Sequence, residues 1–196
     1  MTGQTPSNLD DMRAGKLYWM PDPEILAIQA RATAQCAAFN TAQFPDAAAR
    51  VAFLRRAFTR YEPGFMSQPQ RWWFGQLQIG PGCFFNVDCQ LLDNAPVTFG
   101  AHVLVGPRAQ FITATHPLEP EARALYDAGG KRVLGGNGMT RPVVIGDNVW
   151  IGASAIILPG VTAGAGSTIG AGSMVTRNIP PGVLAAGNPC RVIRKI

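Results

Sequence analysis

The sequence predicts a mainly β protein, in which a solenoid of short strands follows an N-terminal helical segment and carries one inserted loop. Three observations lead to this prediction. The first part of the chain contains two apolar stripes with helical spacing. From residue 79 onward, apolar residues recur at every sixth position instead. Between residues 112 and 141 this period stops, and it then resumes.

The N-terminal helical segment is predicted over residues 1–62. Asp22 directly precedes a proline, which is the usual order of an N-cap followed by the first helical residue. Asp46 is a possible cap for a second helix. The residues of that helix that share one face are Val51, Leu54 and Phe58. We interpret this face as a packing surface.

Residues 63–78 are predicted to be a link. The stretch EPGFMSQPQ, which begins at residue 62, is rich in residues that interrupt helices and strands. The solenoid is expected over residues 79–189, with an extruded loop at 117–141. Residues 190–196 are expected to form a basic tail.

The six-residue period fits neither a helix nor a single alternating strand. It fits short strands joined by tight turns, so that one apolar side chain in six points into a narrow core. Three such units make a coil of 18 residues. The phase slips by two positions at the sequence DNAP. The apolar positions of the period are Ile79, Phe85, Leu91 and Val97, then Phe99, Val105 and Phe111, then Ile145, Ile151, Ile157, Ala163, Ile169 and Val175.

The formal net charge of +5 is concentrated near the C-terminus, where Arg191, Arg194 and Lys195 fall within the last six residues. No long basic run with interleaved aromatic residues occurs, which argues against a nucleic-acid partner. A few basic residues at one end favour a small phosphorylated ligand.

The cysteines indicate a cytoplasmic protein with reduced thiols, because none forms a CxxC pair or stands at zinc-binding spacing from a histidine. They are Cys36, Cys83, Cys89 and Cys190. The N-terminal residues do not resemble a signal peptide. No window of about 18 uninterrupted apolar residues occurs, so we expect no membrane span.

Several stretches resemble a known family. The sequence VVIGDNVWIGASAIILPGVTAGAGSTIGAGSMVTRNIPPGVLAAGNPCRVIRKI resembles the C-terminal half of the hexapeptide-repeat acyltransferases. FFNVDCQLLDNAP and TATHPLEPEAR resemble the maltose, galactoside and nodulation acetyltransferase branch, and MRAGKLY resembles the start of its helical segment. The resemblance implies a left-handed parallel β-helix and a homotrimer with active sites between neighbouring subunits. It also implies transfer of an acetyl group from acetyl-CoA, with no metal required.

His116 is the candidate catalytic base. It lies at the root of the inserted loop, where a rigid solenoid can hold a side chain beside a cleft. A neutral imidazole can take the proton of a hydroxyl group as the oxygen attacks a thioester. The resemblance implies this role for His116, with direct transfer and no acyl-enzyme. The second histidine, His102, is interpreted as a turn residue.

Four further residues are candidates for the acceptor side. By resemblance, Asn86 contacts the acceptor near the reacting hydroxyl and is the second predicted catalytic residue; alternatively, it stabilises a turn of the solenoid. Asp93 coincides with the phase slip, so it either caps a bulge or binds a sugar hydroxyl or orients His116. Trp72 stands where relatives have a small polar or acidic residue, and its face could stack on an acceptor. Asp22 is the nearest match to an acidic residue of the family.

The acetyl-CoA side is assigned by resemblance. The main-chain N–H of Ala153 is expected to bind the oxyanion, which a change from serine to alanine leaves possible. Arg191 and Arg194 are expected to meet phosphates through charge-assisted hydrogen bonds. The residues expected along the groove for the pantetheine arm are Ala171, Thr176 and Arg177.

The predicted function is O-acetylation of a sugar or glycoside. An alternative keeps this chemistry on a non-sugar acceptor, such as a natural product or antibiotic, because Trp72, Trp73 and the long loop depart from the family. A non-catalytic trimeric scaffold is a further alternative, although the chain keeps His116 and the groove glycines. A zinc hydrase needs three imidazoles, and the chain has two histidines. The loop itself is either a lid over the acceptor or a tolerated insertion.

Overall fold

The computed structural model of the chain describes residues 7–131 and 135–196. The first six residues of the expected helical segment, and residues 132–134 of the expected loop, lie outside these ranges. The described helices are α1 (Asn8–Arg13), α2 (Pro23–Thr41), α3 (Ala47–Ala57) and α4 (Pro120–Arg123).

Short strands make up most of the remaining structure. The first ten are β1 (Tyr18–Met20), β2 (Arg60–Tyr61), β3 (Phe65–Met66), β4 (Arg71–Trp72), β5 (Leu77–Ile79), β6 (Phe84–Phe85), β7 (Gln90–Leu92), β8 (Val97–Phe99), β9 (Leu104–Val105) and β10 (Gln110–Ile112). The others are β11 (Ala114–Thr115), β12 (Gly136–Thr140), β13 (Val143–Ile145), β14 (Trp150–Ile151), β15 (Ile156–Ile157), β16 (Thr162–Ala163), β17 (Thr168–Ile169), β18 (Met174–Val175), β19 (Val183–Ala186) and β20 (Arg191–Lys195).

The strands wind into a left-handed parallel β-helix with three faces, which confirms the predicted fold class. Face 1 consists of β2, β5, β8, β13 and β16. Face 2 consists of β3, β6, β9, β14, β17, β19 and β20, and face 3 of β4, β7, β10, β15 and β18. The chain visits faces 1, 2 and 3 in turn, so the turns stack into corners that run along the solenoid.

The strand register confirms the predicted coil length and the phase slip. In the later coils Trp150 pairs with Thr168, eighteen positions further along the chain. Across the sequence DNAP, however, Phe84 pairs with Leu104, twenty positions away. This coil therefore contains two extra residues, as the change of phase predicts, and they fall in the turn between faces 3 and 1.

The apolar residues of the six-residue period point inward and form one continuous core. Phe85 from one coil and Phe99 and Phe111 from the next pack edge to face, with ring centroids 4.8 and 4.9 Å apart. His102 has a positive φ of 57° in an exposed turn, which confirms its interpretation as a turn residue.

Helices α2 and α3 cover the open N-terminal end of the solenoid. Phe39 from α2 and Leu54 from α3 are fully buried in the solenoid core. Asp22 caps α2 by accepting hydrogen bonds from two main-chain amides at 3.0 Å, and Asp46 caps α3 in the same way at 2.7 Å. The capping aspartates thus begin the helices where the sequence places them.

The solenoid and the expected link overlap. Residues 63–78 contain β3, β4 and most of β5, and the first coil begins at β2, ahead of that range. A two-residue strand places only one apolar side chain in the core. Its sequence pattern is therefore weak, and the prolines and glycines of the neighbouring turns make the stretch read as a link. Residues 190–196, which were expected to form a basic tail, contain β20, and this strand pairs antiparallel with β19.

The inserted loop leaves and re-enters the solenoid at adjacent positions. The amide of Arg141 donates to the carbonyl of Thr113 at 2.8 Å and closes the root of the loop. Beyond this point, β11 and β12 pair antiparallel, and β1 from the N-terminal segment pairs with the other edge of β12. The helical segment and the loop are therefore joined in one small sheet beside the solenoid. No helix in the described ranges is long and apolar enough to cross a membrane.

Candidate active site

His116 directly follows β11, at the point where the loop leaves the solenoid. Its imidazole is exposed, and its Nδ1 atom lies 2.8 Å from the main-chain oxygen of Asn137 in β12. A carbonyl oxygen can only accept a hydrogen bond, so in the neutral ring this contact assigns the proton to Nδ1. The Nε2 atom is then left with a free lone pair, which is the form that a general base requires.

A cleft of about 300 Å³ surrounds His116. Its other walls come from Met20 of β1, Arg123 at the end of α4, and the glycines at the start of β12, Gly135 and Gly136. A Cβ atom on Gly136 would lie 2.7 Å from the carbonyl oxygen of Arg123, and one on Gly135 would collide with the carbonyl of Met20. Glycine at both positions lets β1, α4 and β12 approach one another closely beside the exposed ring.

The predicted site residues fall on two different corners of the solenoid. His116, Thr176 and Arg177 lie where the chain passes from face 3 to face 1. By contrast, Asn86, Ala153 and Ala171 follow strands of face 2 and precede strands of face 3. These positions are Asn86 after β6, Ala153 after β14 and Ala171 after β17. A single chain therefore does not bring the two predicted catalytic residues together.

The corner that carries Ala153 is narrow, and glycines make it so. A Cβ atom on Gly106 would lie 2.6 Å from the amide nitrogen of Ala153, and one on Gly152 would lie 2.5 Å from that of Ala171. In the described part of the chain, the amide of Ala153 donates to no acceptor. An N–H without a partner is a suitable donor for an oxyanion.

Asn86 is half-buried in the turn after β6. Its Oδ1 accepts a hydrogen bond from the amide of Val87 at 2.8 Å, and its main-chain oxygen accepts one from Gln70 at 2.6 Å. These bonds support the turn-stabilising alternative. They leave the amide nitrogen of the Asn86 side chain without a partner in the described ranges, so its contact with an acceptor stays a prediction.

The prediction that Asp93 binds an acceptor or orients His116 is corrected by the structure. Asp93 is fully buried, and its carboxylate accepts hydrogen bonds from three amides, those of Trp73, Phe74 and Gln76, at 2.7–2.9 Å. Burial raises the pKa of Asp93, while these bonds oppose the rise. The residue instead holds the two-residue bulge, which was the other alternative.

Trp72 does not line the acceptor side either. It is 1% exposed, and its ring packs edge to face against Phe39 at 5.7 Å and Phe58 at 5.0 Å. In β4, Trp72 pairs with the inward Leu91, so it takes the core position while Arg71 points outward. The tryptophan is thus part of the contact between the helices and the first coil.

The remaining predicted residues are exposed or partly exposed. Asp22 caps α2 through Oδ1 two residues after Met20 of the cleft, and its role in binding an acceptor stays a prediction. Arg191 and Arg194 lie on the exposed strand β20 at the far end of face 2. In the described ranges, each guanidinium bonds only to a neighbouring main-chain carbonyl, at 2.9 and 3.0 Å.

Three residues of the site were not found from the sequence: Met20, Arg123 and Asn137. Their contribution depends on the pairing of β1 with β12, which joins Tyr18 to Gly138. Such a long-range antiparallel pairing has no periodic signal in the sequence. Within the described ranges, no three His, Cys, Asp or Glu side chains are placed to hold a metal ion.

Comparison with known proteins identifies the family. Residues 142–177 match the bacterial transferase hexapeptide (six repeats), and residues 11–61 match the maltose acetyltransferase hexapeptide capping motif. Nodulation protein L of Rhizobium meliloti is 39% identical over 190 residues, which cover 96% of this chain and 98% of that protein.

Two solved structures are similar over nearly the whole chain. A maltose O-acetyltransferase from Clostridium difficile 630 has 34% identity and a TM-score of 0.88, covering 98% of this chain and 99% of that one. A galactoside acetyltransferase in complex with coenzyme A has 33% identity and a TM-score of 0.86, covering 98% and 92%. The chain belongs to the hexapeptide-repeat acetyltransferases, in the branch of the maltose, galactoside and nodulation enzymes.

Proposed function

We propose that the chain transfers an acetyl group from acetyl-CoA directly to a hydroxyl of a sugar or glycoside, with His116 as the general base. The observation that carries this proposal is the contact between His116 Nδ1 and the main-chain oxygen of Asn137, which leaves Nε2 free on a residue that lines a cleft. A base oriented in this way is ready to accept a proton without first changing its tautomer.

In the proposed reaction, His116 takes up one proton from the acceptor and later gives it to the leaving group. Nε2 of His116 takes the proton of the acceptor hydroxyl while the oxygen forms a bond to the acetyl carbon. The carbon–sulfur bond then breaks, and the imidazolium returns the proton to the departing sulfur. The amide of Ala153, which has no acceptor in the described ranges, would donate to the carbonyl oxygen as negative charge develops on it.

The donor is proposed to lie along the later coils. Ala171 has no bulky side chain, and Thr176 and Arg177 are exposed on the corner that carries His116. Arg191 and Arg194 present exposed guanidinium groups, each with one bond to a main-chain carbonyl, for the phosphates at the C-terminal end. The similar galactoside acetyltransferase was solved in complex with coenzyme A, which supports a groove of this kind here.

A homotrimer is proposed to complete the site. Because His116 and Ala153 lie on different corners of one chain, a base and an oxyanion donor can face each other only if a second copy supplies one of them. Three copies around an axis would place each His116 corner against the Ala153 corner of a neighbour. We also infer a cytoplasmic location, since acetyl-CoA is available there.

The experiment that tests this proposal measures thiol release from acetyl-CoA over a panel of acceptors. The panel spans maltose, glucose, galactosides, amino-sugar oligomers, nucleotide sugars and hydroxylated antibiotics. We expect release that depends on a sugar acceptor and disappears in His116→Ala. Release with the antibiotics alone would show that the acceptor is not a sugar. Absence of both release and acetyl-CoA binding would support the scaffold alternative.

A further inference from the structure

One of the residues that line the cleft around His116 is cationic, and the proposed reaction does not use its charge. Arg123 is the last residue of α4 and is exposed beside this cleft. Attack of a neutral hydroxyl on a thioester needs a base and an oxyanion donor, but it needs no cation on the acceptor side.

Arg123 is not neutralised by the described part of the chain. The acidic residues of its own helix region are Glu119 and Glu121, and Asp22 follows Met20 on the opposite wall. None of them forms an ion pair with Arg123: the ion pairs within residues 7–131 and 135–196 join Lys16 to Asp11 and two other arginines to Glu62. The guanidinium is thus available to bind an anion.

The backbone of Arg123 is fixed relative to His116. The side chain of Asn137 donates to the carbonyl of Ala122 at 2.8 Å, and the carbonyl of Asn137 holds the ring of His116. Gly136 is in close contact with the carbonyl of Arg123. One strand therefore sets the positions of both the base and the end of α4, so the main chain of Arg123 is held in a defined place relative to His116.

Arg123 and the residues proposed to bind the acetyl donor lie at different positions along the solenoid. Thr176 and Arg177 lie two coils beyond His116 on the same corner, since β10 pairs with β15 and β15 with β18. That displacement is about 10 Å toward the C-terminal end, at the usual spacing of strands. Arg123 lies instead against β12, which pairs with β1 of the N-terminal segment, so its charge lies on the acceptor side.

We propose that Arg123 selects acceptors that carry an anionic group, such as a carboxylate or phosphate, close to the hydroxyl that is acetylated. This inference rests on the proposed function and names its acceptor class. A guanidinium binds carboxylate and phosphate oxygens through paired, charge-assisted hydrogen bonds. Met20 on the facing wall supplies apolar contact for the rest of the acceptor. The net charge of +5 also favours the approach of anions.

The test compares acceptor pairs that differ by one anionic group: methyl galactoside with methyl galacturonoside, and N-acetylglucosamine with its 1-phosphate. We expect the anionic member of at least one pair to have a kcat/KM about tenfold higher at low salt. Arg123→Ala should abolish this preference, mainly by raising the KM for the anionic member. Arg31→Ala removes an exposed charge of α2 and should keep the preference.

The outcomes distinguish failure of the role proposed for Arg123 from failure of the proposed acetyl transfer. A preference that survives Arg123→Ala, or equal turnover of both members of every pair, overturns the role of Arg123 and leaves the proposed acetyl transfer standing. Failure to acetylate any member of either pair, together with no acetyl-CoA binding, overturns both. Two results would support a charge contact: the preference weakens when salt is added, and Arg123→Lys keeps part of the preference that Arg123→Ala loses.

Discussion

The Nδ1 atom of His116 lies 2.8 Å from the main-chain oxygen of Asn137, a residue 21 positions further along the chain. The side chain of the same asparagine bonds the carbonyl of Ala122 at the end of α4. Asn137 thus links the ring of His116 to the loop helix from the middle strand of a three-stranded sheet. The histidine is oriented by a main-chain atom, which no substitution of the Asn137 side chain removes directly.

Replacing His116 with alanine should lower kcat by about 10²- to 10⁴-fold, because the acceptor hydroxyl then loses its base. Acetyl-CoA binding and oligomeric state should persist, since the ring is exposed and, among the residues that the structure describes, bonds to a single carbonyl. Steady-state kinetics, calorimetric binding of acetyl-CoA and sedimentation check these three expectations. The matched control is His102→Ala, which removes the other, exposed histidine and should retain activity. Loss of oligomers in His116→Ala would instead make the residue structural.

Replacing Arg191 or Arg194 with alanine should raise the KM for acetyl-CoA about tenfold and change kcat much less, because a charge-assisted contact to a phosphate is lost. Initial-rate kinetics with varied acetyl-CoA separate the two constants. Arg56→Ala, on α3 at the opposite end of the solenoid, is the control for loss of one positive charge. An unchanged KM in both variants would remove these residues from the phosphate site.

Replacing Asp93 with asparagine should destabilise the fold by about 1–3 kcal/mol. The three amides around the carboxylate all donate hydrogen bonds, so the new NH₂ group would face a donor and leave it unsatisfied. Chemical denaturation measures the change in the free energy of unfolding. Asp88→Asn, in an exposed turn, should change it little. Equal stability of Asp93→Asn, combined with a raised acceptor KM, would restore the substrate-binding role.

The cysteine thiols should react slowly with a chromogenic disulfide reagent at pH 8. Burial raises the pKa of all four, and that of Cys89 to about 12. A raised thiol pKa means less of the nucleophilic thiolate at a given pH. After unfolding in denaturant, all four should react at once. Rapid reaction of a thiol in the folded protein would show that one of them is accessible and ionised.

The solenoid could be predicted from the sequence because its signal is local and repeated. One inward residue in six, from Ile145 to Val175, is enough to give both the coil length and the core. The cap of α2 by Asp22 is local in the same sense, since it bonds amides two and three residues ahead. The chemistry of a single turn decides such features.

The cleft could not be predicted in the same way. Its walls meet because β1 pairs with β12, more than a hundred positions away, and nothing periodic in either stretch specifies that partner. The error at Trp72 has a related cause. In the stretch RWW, residues 71–73, a shift of the strand by one residue exchanges the inward and outward side chains. Strand β4 has only two residues, which are too few to show from the sequence which of them points inward.

Replacing Trp72 with alanine distinguishes a core residue from an acceptor platform. We expect a loss of about 3–5 kcal/mol in the free energy of unfolding, because removal of the large ring that packs between Phe39 and Phe58 would leave a cavity. Trp19→Ala is the control: this tryptophan is 44% exposed on β1, and its loss should cost much less. Thermal and chemical denaturation measure both variants. If Trp72→Ala kept its stability and raised only the acceptor KM, the ring would have to leave the core and contact the acceptor, contrary to its packing here.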